Sequence, residues 1–227
     1  MIRTIFLTLS FFAAASAAIE GRVTAADASG VTASVSGAKA GMSAIVIYGY
    51  NGGETISARC ATISVSQNTA RLQCKPFALY DQDSVPTLTL PVRKGDKAVF
   101  APLEKSAIVI APSVDRLVRA QSKRADLSFL HPDLLAHQLA VADKTEPDAE
   151  DFRGFCDRYL AGTIVFAFSD GDYLTDCQTF APLEILPETA AASGARLTLP
   201  FFNRLGLKSD EIRDFDAYYK RLLSKEF

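Results

Sequence analysis

A chain of 227 residues is long enough for one large domain or two small ones. With 48% hydrophobic and 22% charged residues it can bury a real core, which excludes an intrinsically disordered chain. The formal net charge of -2 provides no basic footprint, which excludes nucleic acid as a partner.

Residues 1–18 read as an export signal. Arg3 supplies a positive start, residues 5–15 form an apolar stretch, and Ala15-Ser16-Ala17 meets the small-x-small rule for cleavage. The apolar run is shorter than the roughly 18 to 20 residues a membrane span needs. No cysteine sits at the cleavage site to carry a lipid anchor. No later segment is long and apolar enough for a spanning helix. The expectation is an exported protein of the periplasm or cell surface, with no membrane span once the signal is removed.

Four cysteines remain, Cys60, Cys74, Cys156 and Cys177. An even count in an exported chain suggests disulfides, with three possible connectivities. One pairing has a geometric argument. Residues 59–66 and 69–75 read as the arms of a hairpin turning near Gln67-Asn68. A three-residue loop, 66–68, sets Val65 opposite Thr69 and so Cys60 opposite Cys74. Opposed residues of antiparallel strands have Cβ atoms about 4.5–5.5 Å apart, close enough to bridge after small adjustment. Cys156 and Cys177 then pair by elimination. Closing the smaller loop is worth about 3 kcal/mol by loop entropy.

In chain order, residues 19–25 read as a strand, 27–30 as a turn, and 31–35 as a second strand alternating apolar residues with Thr and Ser. Residues 37–41 break the pattern. Residues 42–50 form a long apolar strand, closed by the hairpin signal Asn51-Gly52-Gly53. Residues 55–66 and 69–77 complete about five strands. A small closed or nearly closed barrel removes the exposed edges of such a set. The order strand, turn, strand, then Gly37-x-x-x-Gly41-Met42 before a long strand, resembles the small SH3-like barrels of bacterial envelope proteins.

Residues 90–112 join two halves. Lys94-Gly95-Asp96 is a turn signal, and residues 97–100 and 107–110 are short apolar runs. Helical patterns begin after Pro112. Ser113 suits the N-cap of a helix to about residue 122, with Val114, Leu117, Val118 and Gln121 on one face. His131-Pro132 opens a second helix with Leu134, Leu135 and Leu139 as its stripe. The acidic run 146–151 opens a third, reaching about residue 160. A strand follows at 163–168, a turn at Ser169-Asp170-Gly171-Asp172, a return at 173–177, and an extension of this sheet at 180–186. Ser209 caps a last helix with Ile212, Phe215, Tyr219, Leu222 and Leu223 on one side. The expected fold is α+β. A small SH3-like β-barrel half spans 19–111, and a mixed α/β half spans 112–227 and ends in an amphipathic helix.

No catalytic group stands out. His131 and His137 are the only histidines, and their spacing is not the i, i+4 of a helical zinc pair. Asp170-Gly171-Asp172 lacks the ligand series of a calcium loop. No P-loop, Gly-x-Gly-x-x-Gly or Gly-x-Ser-x-Gly motif is present. The expectation is a non-enzymatic protein with no metal and no cofactor.

An ordered series of short stretches is similar to the N-terminal domain family of the PgbA-type plasminogen-binding proteins of Gram-negative bacteria. The series runs Val92-Arg93-Lys94-Gly95-Asp96, Ile108-Val109-Ile110-Ala111-Pro112, Asp133-Leu134-Leu135, Cys156, Gly162-Thr163-Ile164-Val165, Cys177, Phe180, and Pro200-Phe201-Phe202-Asn203-Arg204. The resemblance implies an exported binding protein whose partner is plasminogen, engaged at kringles that favour a C-terminal lysine. The sequence ends Lys225-Glu226-Phe227, so binding is expected to fall on internal lysines: Lys94, Lys97, Lys105, Lys220 and Lys225. Asp96 near Lys94 and Glu226 beside Lys225 stand in for the terminal carboxylate. The likeness to envelope barrels supports a rival expectation, a structural or accessory component of a periplasmic machine such as the flagellar motor.

The signal reading predicts that the mature chain begins at Ala18 or Ile19. The intact mass of protein recovered from the cell envelope measures this, and a mass that includes Met1 overturns it.

Overall fold

A computed structural model describes residues 18–27, 30–77, 90–189 and 197–223. The expected signal lies outside them except for Ala18.

Six strands close into a barrel: β1 (Ile19–Asp27), β2 (Gly30–Val35), β3 (Ser43–Tyr50), β4 (Gly53–Ser66), β5 (Thr69–Pro76) and β6 (Lys97–Phe100). Their order around the barrel is β1-β2-β5-β4-β3-β6, and every neighbouring pair is antiparallel. The strand missing from the first five is β6. Phe100 stands opposite both Ile19 and Ala44, so this short run seals β1 to β3. The interior explains the composition. Ala33, Ala44, Val46, Ala58, Ala70 and Ala98 point inward around Leu72 and Phe100, because so small a barrel has room for little else.

Two of the barrel's tight hairpins turn on residues with positive φ. Asn51 and Gly52 (48° and 82°) turn β3 into β4, and Gln67 and Asn68 (46° and 63°) turn β4 into β5. Two-residue turns of this hand match the twist of the strands. The second loop is therefore one residue shorter than expected, with Ser66 opposite Thr69. The register then shifts between Thr62 and Ser64, where Ile63 is the extra residue of a bulge. The shorter loop and the bulge offset each other, and Cys60 meets Cys74 with Cα atoms 4.0 Å apart in a disulfide.

The second half builds a five-stranded sheet from β7 (Ser106–Ile110), β8 (Ser128–Leu130), β9 (Thr163–Ala167), β10 (Gly171–Asp176) and β11 (Pro182–Pro187), in the order β11-β10-β9-β7-β8. β8, β7 and β9 run parallel, and β9, β10 and β11 antiparallel. The change of sheet falls between Phe100 and Ser106. Among the described residues four helices accompany the sheet: α1 (Val114–Ser122), α2 (Asp133–Val141), α3 (Ala149–Tyr159) and α4 (Phe215–Lys220). Alternate residues of β7 serve opposite faces. Ile108 and Ile110 pack with Leu135, Leu139, Phe152 and Tyr219 from α2, α3 and α4, whereas Val109 and Ala111 pack with Leu117 and Ala120 of α1. Cover on both sides is why β7 and β9 are continuous apolar runs.

Three helical details differ from expectation. Ser113 does cap α1, accepting from the Arg116 N–H, but the inward face carries Arg116, Leu117 and Ala120. Val114 and Val118 are 47% and 55% exposed. The face is turned because the sheet holds acids that bind Arg116. The third helix begins at Ala149, behind a capping box of Asp148 and Asp151. The last helix is much shorter than expected. Ser209 accepts from the N–H groups of Glu211 and Ile212, yet the chain straightens at Asp214, which caps α4 by accepting from Ala217. Ile212, Phe215, Tyr219 and Leu222 are nonetheless buried.

The two sheets meet at a buried carboxylate. Asp176, at the end of β10, accepts from the Ser43 N–H of the barrel at 2.8 Å, and from the N–H groups of Gln178 (2.9 Å) and Thr179 (3.1 Å). The Thr179 hydroxyl donates to the Gly41 carbonyl. Gly41 has φ +87°, and a Cβ there collides with Ala181. Arg59 of β4 donates both terminal nitrogens to Asp157 of α3, at 3.1 and 2.7 Å. Burial pushes the Asp176 carboxyl up, and the three backbone donors pull against that rise. A raised folded value means stability falls as pH climbs through it.

Asp176→Ala strands three backbone donors and is expected to cost about 2 kcal/mol or more. It also removes the fall in stability tied to Asp176 deprotonation. Urea midpoints across pH, at unchanged slope, measure both effects. A midpoint equal to wild type shows that the joint does not depend on this carboxylate.

Candidate functional site

The expected lysines sort by their surroundings. Lys94 occupies a β-turn over residues 93–96, in which the Asp96 N–H donates to the Arg93 carbonyl at 3.1 Å. Gly95 takes the positive φ, +95°, that the third position of such a turn demands. The Asp96 carboxylate accepts from the Arg93 N–H at 2.7 Å, so the acid expected to partner a ligand also holds its own turn.

The barrel fastens this turn from below. The Gly95 N–H donates to Val23 O, the Val23 N–H donates to Asp96 O, and Arg22 donates to Gly95 O at 3.0 Å. The Arg93 guanidinium lies 5.1 Å above the Tyr48 ring and donates to its hydroxyl at 3.3 Å. Lys94 itself is exposed and has no ion-pair partner among the described residues. Lys97 follows at the start of β6 and bonds Glu20 at 2.7 Å. The structure therefore brings Arg22, Arg93, Lys94 and Lys97 together at one end of the barrel.

The remaining candidates lie elsewhere. Lys105, between β6 and β7, pairs with Asp126 at 3.1 Å. Lys220 is committed to the fold. Its ammonium donates to Asp170 at 2.8 Å and sits over the rings of Phe168 and Tyr173, at 5.1 and 5.8 Å. The hydrogen bond to Asp170 raises the Lys220 pKa and lowers that of Asp170. Lys225 and Glu226 lie outside the described residues. Lys39 and Lys208 are exposed, with no side-chain ion pair to an acid among the described residues. Lys39 lies within the Gly37-x-x-x-Gly41 break, read as a feature of the barrel, and no motif marks Lys208.

His131 acts locally. Its Nδ1 accepts from the Asp133 N–H at 3.1 Å, at the start of α2. Among the described residues no group of three or more His, Cys, Asp or Glu side chains is arranged to hold a metal ion. No helix among them is long and apolar enough to cross a membrane.

Fold and surface together define an α+β protein with a closed barrel, a mixed sheet and a basic turn presented by the barrel. The family described as plasminogen-binding protein pgbA N-terminal matches residues 18–223, and the chain belongs to that family. No curated protein and no solved structure matches the chain.

The surroundings predict an order of chemical reactivity. Under limiting amine-specific labelling, Lys94 is expected to react well ahead of Lys220, whose ammonium is held by Asp170. Peptide mass spectrometry gives the ratio. Equal labelling of the two shows that the Lys220 bond does not persist in solution.

Proposed function

We propose that this is an exported, non-enzymatic binding protein that engages plasminogen through internal lysines, with Lys94 as the leading contact. Membership of the family supports plasminogen as the partner. The two cysteine pairs at disulfide distance, Cys60–Cys74 and Cys156–Cys177, suit an oxidising compartment outside the cytoplasm.

The observation that carries the reading is the state of Lys94. It is an exposed ammonium without an ion-pair partner among the described residues, on a turn that the barrel holds in one shape. Presenting a side chain on a fixed turn reduces the ordering cost of binding. Asp96 places a carboxylate two residues away. Exposed charge contacts contribute about 0–1 kcal/mol each, so binding through them is weak and falls with salt.

Surface plasmon resonance on immobilised plasminogen tests this. Binding is expected, competed by a free lysine analogue and reduced up to about fivefold by Lys94→Ala, the equivalent of about 1 kcal/mol. Lys220→Ala is expected to change it less. Tight binding that ignores the analogue and survives combined alanine substitution of Lys94, Lys97 and Lys105 overturns the reading. So does a complete lack of binding at low salt.

A further inference from the structure

The second half has a crevice that the lysine surface does not use. The chain leaves β7 into α1, on one face of the sheet, and comes back as β8 on one side of β7. It then passes through α2 and α3, on the other face, and enters β9 on the opposite side of β7. β7 and β9 are thus parallel neighbours whose connections run in opposite directions. Sheets of this kind take ligands just beyond the C-terminal ends of such a strand pair, where the diverging connections leave a gap.

A cavity of about 450 Å³ occupies that place. Pro112 and Ser113 line it where β7 ends, Phe168 and Ser169 where β9 ends, and residues 213–216 close it from the segment before α4. Its floor is a buried ion network. Arg116, with only 7% of its side chain exposed, binds Asp172 at 2.6 Å, Glu188 at 2.9 Å and the Phe168 carbonyl at 2.9 Å. Lys123 reaches the same two acids, at 2.9 and 3.2 Å. Asp172 is completely buried and so requires both cations.

The cavity's polar groups do not balance as donors and acceptors. Glu188 is taken by Arg116 and Lys123. Asp214 accepts from the Ala217 N–H, and Asp216 from the Ser169 N–H and hydroxyl. Within the network Arg116 Nη1 and Asp172 Oδ1 are held at ion-pair distance without a well-directed hydrogen bond, and outside it two guanidinium groups are left. The Nε–H of Arg119, one turn beyond Arg116, is buried with no acceptor, and Arg213 has no acid partner among the described residues. A buried donor without an acceptor costs about 1–3 kcal/mol, and such a group calls for an explanation. The opposing walls are apolar: Phe168, Phe215 and Leu197.

We propose that this cavity binds a small organic acid. Its carboxylate or phosphate head accepts from Arg119 and Arg213, and its apolar body lies against Phe168, Phe215 and Leu197. Guanidinium groups suit both heads, since each presents paired oxygens to a planar fork of donors. The site is separate from the turn at residues 93–96, so its fate is independent of plasminogen binding.

Isothermal titration of the purified chain with benzoate, phenyl phosphate and phenol tests the proposal. At least one of the two acids is expected to bind saturably, one per chain, and phenol at least tenfold more weakly. Comparison of benzoate with phenyl phosphate assigns the head group. The Arg119→Gln, Arg213→Gln double variant is expected to lose at least tenfold in affinity. Arg116 is kept, because its removal strands Asp172 and Glu188. Guanidinium NMR signals of the wild-type chain supply a readout that does not depend on the variant's folding, with Arg119 and Arg213 shifting on addition of the acid. Absence of binding by both acids, phenol binding as tightly as they do, or undiminished binding by the double variant each overturn it.

Discussion

The arrangement of the two sheets depends on the Asp176 carboxylate. A charge taken out of water costs several kcal/mol unless the site returns its hydrogen bonds. Asp176 recovers them from one donor of the barrel and two of its own loop. The Ser43 N–H lies at the start of β3, so the bond fixes where that strand meets the end of β10. Asp157, the other acid of the joint, bonds Arg59 and also accepts from the Gln178 side chain. The Cys156–Cys177 disulfide lies between these two acids, since Asp157 follows one cysteine and Asp176 precedes the other. One covalent link therefore holds both acids that reach across to the barrel.

Charge is used in two ways in this molecule. Around Arg116 it is buried and ion-paired, and it orients α1 at the expense of a simple apolar face. At the turn beside β1 it is solvated, and Lys94 is left without an ion partner among the described residues. Lys220 belongs with the first group although it lies near the surface, because Asp170 and two aromatic rings hold it. The chemistry of a lysine is the same in each place. Its neighbours decide whether it supports the fold or remains available to a partner.

Much of the fold was legible because its signals are local. Asn51-Gly52 and Gln67-Asn68 mark their hairpins, Ser113 caps its helix, and Val31, Ala33 and Val35 show the strand alternation. What could not be read depends on distant partners. β6 looks like part of a joint until Ile19 and Ala44 are seen on either side of Phe100. β8, only Ser-Phe-Leu, is too short to show a period. The burial of Arg116 follows from acids on β10 and after β11, and nothing in the sequence near Arg116 announces them. The last helix was overextended because residues 209–223 have helical spacing, while the straightening at Asp214 has no strong breaker residue. For the surface, the turn at residues 93–96 was visible as a turn, but the free state of Lys94 and the commitment of Lys220 depend on neighbours that only the fold supplies.

Closure of the barrel by β6 also bears on how the molecule comes to be. The first strand finds its second neighbour only after the whole of β2 to β5 has been laid down, because Ile19 to Arg22 pair with Lys97 to Phe100. Bringing such distant segments together carries a loop-closure entropy that local contacts do not, and folding slows as that sequence separation grows. Until Phe100 arrives, β1 and β3 each expose an unpaired edge, which is the form of chain most prone to pair with another. The β6 run is four residues long and apolar in its last three. It acts as a late seal, ending the period in which the barrel could join its neighbours instead of itself.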